Sequence, residues 1–190
     1  MKRIVVMSLV AFTLLFSTSA FAVGLGVFVD YSSGSGDLEV DGLQEVDIDS
    51  DMFAGGFVLD TAPTNESVFN YRLNIGITDQ TIDIEDDFEL DLNGVYIENI
   101  FGFALIKNEN FRWWLGPLIR IGYYEGDIYD VDVEVGEFGG GVVTGLNFKA
   151  GSVVLSPSVG VRYSAFYGEI GHVDFDADTV TVFANVAVLF

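Results

Sequence analysis

The 190-residue sequence has no cysteine and one histidine, His172. Disulfide stapling, thiol catalysis and thiolate-bound metals are therefore excluded. Three prolines and 22 glycines rule out a collagen-like repeat. Basic residues are also scarce, with 8 Lys and Arg against 29 Asp and Glu and a net charge of -21. Such a surface repels nucleic acid and anionic lipid, so no nucleic-acid partner is expected. Beyond the first two dozen residues, no apolar run approaches the roughly 20 residues of a membrane-spanning helix.

Against these absences stand 50% hydrophobic residues, 14% aromatics and a mean hydropathy of +0.41. A disordered acidic chain would be poor in both classes, so the apolar and acidic residues must be spatially segregated. The first segment is an address: Lys2 and Arg3, the apolar stretch from Ile4 to Phe16, and the small-x-small site Ala20-Phe21-Ala22 read as a secretory signal. Cleavage is expected after Ala22, leaving residues 23–190 as the folded domain.

From Val23 onward the dominant period is two, the signature of half-buried strands. Phe69, Tyr71, Leu73, Ile75 and Ile77 alternate with Asn70, Arg72, Asn74, Gly76 and Thr78, and seven similar ladders bring the count to eight strands. Connections alternate between short turns (62–67, 107–110, 149–152) and long acidic segments (33–51, 79–91, 125–137, 168–178). This pattern predicts an all-β fold, an eight-stranded antiparallel up-and-down β-barrel, closed so that no edge is exposed.

Three observations predict that the apolar face points outwards, making the barrel transmembrane. The alternate positions are small or polar: Gly24, Gly26, Ala54, Asn70, Asn74, Gly76, Gly145, Asn147, Ser156, Ser158, Ser164 and Asn185. Arg72, Arg120 and Arg162 share that parity with Asp30, Asp60 and Glu98, so a structural charge cluster is expected in the lumen, where buried charges need partners. The long segments hold 24 of the 29 acidic residues and no Lys or Arg, while Lys107, Arg112 and Lys149 fall at the opposite rim.

Each apolar ladder also continues into an acidic ladder of the same parity, as Asp47-Asp49-Asp51 leads into Phe53. The other parity carries Leu38, Val40, Ile48, Ile82, Ile84, Leu90, Val131, Val133, Val135, Val173 and Phe175, which predicts strands outrunning the membrane around a small apolar plug. Tyr31, Tyr123, Tyr163 and Tyr167 above, with Phe69, Trp113, Phe148 and Phe190 below, suit interfacial girdles. Pro117 and Pro157 fall inside strands, where bulges are expected to absorb the lost donors.

No catalytic, cofactor-binding or ordered metal site is expected. His172 is a lone loop imidazole with Ser164 as its nearest serine, a weak basis for acyl chemistry. The Asp-x-Asp-x-Asp runs lack the glycine turn and closing glutamate of an EF-hand, leaving diffuse Ca²⁺ or Mg²⁺ association. Gly139-Gly140-Gly141 has no following Lys or helix and forms no phosphate loop.

The alternating end Thr181-Val182-Phe183-Ala184-Asn185-Val186-Ala187-Val188-Leu189-Phe190 stops on a terminal Phe. With the strand count and loop asymmetry, it makes residues 23–190 resemble the small outer-membrane barrels of Gram-negative bacteria, the OmpA/OmpX type. The resemblance implies periplasmic termini, extracellular acidic loops, a monomer among outer-membrane lipid and lipopolysaccharide, and Phe190 as the signal read by the barrel-assembly machinery. It further implies an envelope-integrity, surface-interaction or adhesion role. A narrow cation-preferring porin-like channel, a lipid A-modifying enzyme and a soluble ligand-binding barrel with reversed faces remain open.

Overall fold

The computed structural model describes residues 23–40, 46–64, 67–84, 88–128, 131–170 and 173–190. The expected leader, His172 and the tips of the acidic segments lie outside the described residues. Eight strands follow one another: β1 Gly24–Val40, β2 Val46–Asp60, β3 Phe69–Ile84, β4 Phe88–Lys107, β5 Phe111–Ile128, β6 Val131–Ala150, β7 Val153–Ile170 and β8 Val173–Leu189. Each pairs antiparallel with its sequence neighbours, and β1 with β8 closes the ring from Gly26↔Leu189 to Val40↔Phe175. The Phe190 amide adds a bond to the Leu25 carbonyl at 2.8 Å, tying down the terminal residue.

The strands are 15 to 20 residues long. A tilted strand crosses a bilayer in about 9–11 residues, so these continue well past one apolar layer. Most of each acidic segment is thus strand, continuous with the apolar ladder below it.

Alternation sorts the faces as expected. Outside, Leu25, Phe53, Phe57, Ile77, Phe103, Phe138, Val159 and Val182 are all exposed, and the aromatics of both girdles face outwards among them. A soluble barrel with its apolar face inwards is therefore overturned. Inside lie three apolar groups. The upper one, Leu38, Ile48, Leu90, Leu92, Tyr124, Val133, Val135, Phe166, Phe175 and Ala177, is the plug, with Ile82, Ile84 and Ile170 packed against it. Val131 and Val173 share its parity but are exposed above it, because the plug ends one residue pair lower. The second group sets Phe28, Met52 and Tyr96 among small side chains, and the third holds Ile100, Trp114, Leu118, Val143 and Phe183.

The expected proline bulges are not found. The β5–β6 register runs through Pro117↔Val142, and the β7–β8 register through Pro157↔Val186. On their other sides, the β4–β5 ladder skips from Ile100↔Leu118 to Phe103↔Leu115 and the β6–β7 ladder from Gly145↔Ser158 to Phe148↔Leu155, with register unchanged. Each missing N–H leaves a gap in one ladder, and the continuous pairing on the other side holds the strand in line. The register shift found among the described residues lies elsewhere, between Ala104 and Ile106, opposite Trp114 and Trp113.

The inward glycines make room for the large inward side chains. A Cβ at Gly76 would stand 2.8 Å from the Tyr96 ring, whereas one at outward Gly140 would meet its nearest neighbour at 3.9 Å. Gly76→Val should destabilise the barrel by about 1–3 kcal/mol, the usual cost of overpacking. Gly140→Val should change it by less than about 0.5 kcal/mol, as expected on an open face. Urea unfolding followed by heat-dependent gel mobility reads both.

Candidate functional site: lumen charges and the acidic wall

Four arginines point into the lumen and none is more than 3% exposed: Arg72, Arg112, Arg120 and Arg162. At the short-turn end, Asp60 accepts from Arg72 Nε and Nη2 at 3.1 and 2.9 Å, from the Ala62 amide at 2.9 Å, and from Asn70. Arg72 continues to Ser156 Oγ at 2.6 Å, and its guanidinium lies 4.9 Å from the Trp114 ring. Asn147 joins the walls by accepting from Trp114 Nε1 and Ser156 and donating to the Pro63 carbonyl.

Arg112 lies at the short-turn rim as expected, but it is fully buried there. Its parity is that of Trp114 and Arg120, and the lumen gives it a cage of acceptors. Nη1 donates to the Ala62 and Ser67 carbonyls, and Nη2 to the Val68 carbonyl and Asn70 Oδ1, all between 2.9 and 3.2 Å. It thereby fixes the β2–β3 turn from the far wall.

Higher in the lumen, Arg120 pairs not with Asp30 or Glu98 but with Glu137, Nε to Oε2 at 2.9 Å. Its guanidinium lies 3.6 Å from the centre of the Tyr96 ring, and Nη2 reaches Met52 Sδ and Tyr124 Oη. The Tyr124 hydroxyl donates to Glu137 as well, and Ser164 donates to its other oxygen at 2.6 Å. Arg162 lies between two carboxylates, 3.5 Å from Glu137 and 3.8 Å from Glu98, and Asn74 donates to Glu98 at 2.9 Å.

Of the six expected cluster residues, all are buried in the lumen; Asp60 pairs with Arg72, and Glu98 lies at the edge of ion-pair range from Arg162. Asp30 pairs with no cation within 4 Å among the described residues; it accepts from Asn185 at 3.3 Å. Glu137 was not anticipated, because it ends an acidic run in which Glu125, Asp127, Asp132 and Glu134 face outwards. Its parity matches Val133 and Val135, a signal present in the sequence that would have placed it inside.

Outside and above, carboxylates stand directly opposite one another. Asp37 pairs with both Asp47 and Asp178, Asp49 with Asp83, Asp83 with Glu89, Glu125 with Glu134, and Glu134 with Glu169. Like charges in facing positions repel and need mobile counter-ions. A few are steadied by hydroxyls, Tyr31 to Asp51 at 2.8 Å and Thr81 to Asp91 at 3.0 Å, around an open cleft of about 470 Å³ on the outer surface. Among the described residues, no group of three or more acidic or imidazole side chains is arranged to hold a metal ion.

No protein-family model matches the chain, and no curated protein matches it in sequence. The fold is similar to the crystal structure of the outer membrane protein OprG from Pseudomonas aeruginosa, at 9% identity and a TM-score of 0.57, over 87% of this chain and 95% of that one. It is also similar to the outer membrane protein AlkL in lipid bilayers, at 12% identity and a TM-score of 0.54, over 92% of this chain and 93% of that one. The fold is that of the eight-stranded outer-membrane barrels.

Glu137→Ala would leave the buried Arg120 without its carboxylate, at a cost of about 3–5 kcal/mol. Replacing both, as Arg120→Met with Glu137→Ala, should recover most of that loss. Unfolding midpoints in micelles, compared as a double-mutant cycle, test the pair.

Proposed function

We propose that this chain is a monomeric, non-enzymatic barrel of the Gram-negative outer membrane whose working surface is the acidic outer wall. The observation that carries the reading is one exterior divided into two zones, an apolar band below and facing carboxylates above, around an interior filled by side chains. Lipid suits the first zone and water with cations the second. The termini then lie in the periplasm, Phe190 presents the assembly signal to the barrel-assembly machinery, and the wall rises beyond the lipopolysaccharide headgroups.

The wall attracts cations in two ways. Diffuse Ca²⁺ or Mg²⁺ relieves the facing carboxylates and can link them to neighbouring lipopolysaccharide phosphates. A cationic macromolecular surface would displace those ions, which gives adhesion or surface interaction a physical basis. A porin-like role is disfavoured by the fully buried Trp114, Arg72, Arg112, Arg120 and Tyr124 across the lumen and by the apolar plug above them.

Two measurements separate these readings. In planar bilayers the protein should give no conductance above bare lipid, and a reproducible cation-selective current would replace this reading with the channel. On cells, changing Asp37, Asp47, Asp49 and Asp83 to Asn should weaken binding of fluorescent polylysine relative to the parent at equal barrel abundance. The difference should shrink as salt or Mg²⁺ rises, and equal binding at low salt would remove the wall from the function.

A further inference from the structure

Asp30 is a buried carboxylate without an ion-pair partner. Its residue is 5% exposed, and Oδ1 has no hydrogen-bond partner among the described residues. Isolated buried carboxylates are costly, and the other three in the lumen, Asp60, Glu98 and Glu137, each lie within 4 Å of a guanidinium. Glu98 adds repulsion from across the lumen, and Arg120 and Arg162 are the cations that act on Asp30 from a distance.

With Asp30 ionised, charge in this section of the lumen does not balance. Asp30, Glu98 and Glu137 carry three negative charges against two on Arg120 and Arg162. Arg112, the surplus cation of the lumen, is caged by carbonyls at the short-turn end, where Arg72 already accompanies Asp60. One positive charge is missing beside Asp30.

The unpartnered oxygens say what kind of group would supply it. Asn74 Oδ1 also lacks a partner, is 2% exposed on its residue, and belongs to the amide that donates to Glu98. Asp30 stands opposite Ala54 on one side and Asn185 on the other, with Ser158 beyond. Carboxylate and amide oxygens are hard ligands that suit alkali or alkaline-earth ions rather than soft metals. A single missing charge favours a monovalent ion, because a divalent one would leave the section positive.

We propose that the lumen holds one monovalent metal cation of sodium or potassium size on Asp30 Oδ1, with Glu98 and Asn74 contributing oxygens, captured as the barrel closes. The ion is a structural component, distinct from the diffuse cations of the outer wall. Its site is sealed by the plug above and by the Arg72–Asp60 pair below.

The test refolds the full chain from urea into micelles with EDTA, in sodium, rubidium or N-methylglucamine chloride at equal ionic strength, and reads the thermal midpoint of the heat-modifiable form. Sodium and rubidium should give a midpoint several degrees above the bulky cation. Asp30→Asn should remove that difference, and the wall variant Asp49→Asn should keep it. Crystals grown in rubidium should show anomalous density within coordination distance of Asp30 Oδ1. Midpoints independent of cation identity, a difference that survives Asp30→Asn, or rubidium absent from the lumen would each overturn the site. Should Asp30→Asn fail to fold, the parent midpoints and the rubidium density decide alone.

Discussion

Closure of the β1–β8 seam buries the inward side chains below the upper rim, and the rest of the architecture answers that constraint. A ring without an edge offers no solvent-facing flank on which a misplaced polar group could be hydrated. Four guanidiniums inside such a ring must find acceptors within it, and they do so by different means. Arg72 and Arg120 have close carboxylates, Arg112 has carbonyls, and Arg162 bridges two glutamates at longer range. Aromatic faces complete three of the four environments, with Arg72 over Trp114, Arg120 over Tyr96 and Arg162 over Phe183. The arrangement specifies one packing of the walls against each other, since each arginine reaches another part of the ring.

The exterior is governed by a different solvent at each height. On β3 the outward positions pass from Ile75 and Ile77 to Asp79 and Asp83 without a break in the pairing. The inward positions pass in parallel from a charged network to an apolar plug. Where the outside is apolar the inside combines the charged network with two apolar groups, and where the outside is charged the inside is oily. Each level of the barrel therefore keeps a hydrophobic layer on one side of the sheet, which is what gives so long a strand reason to continue beyond the bilayer.

Much of this was legible from alternation alone. The face of Asp30, Asp60, Glu98, Arg72, Arg120 and Arg162 followed from parity, as did the plug apart from Val131 and Val173 at its upper end, the side chain of Val40 lying outside those described. Composition overrode parity at two residues: Arg112, at the short-turn rim as expected, was grouped with the rim lysines although it faces inwards, and Glu137 was grouped with the acidic wall. The prolines were misjudged for another reason. A missing donor need not bend a strand that stays paired on its other side, and that depends on both neighbours at once.

Period-two patterning is a property of a single strand, so the sequence by itself determined the strand count, the inward and outward faces, the divided exterior and the acidic asymmetry between the two ends. Which carboxylate meets which arginine was decided only by the tertiary structure. Arg120 selects Glu137 over Asp30 because the β5–β6 ladder brings the two to neighbouring inward positions, with Arg120 opposite Gly139. Asp30 is left without a guanidinium in ion-pair range because its own neighbours, Ala54 and Asn185, carry none. Those pairings depend on register and on side-chain reach across a closed lumen, and neither is written in the spacing of residues along one strand.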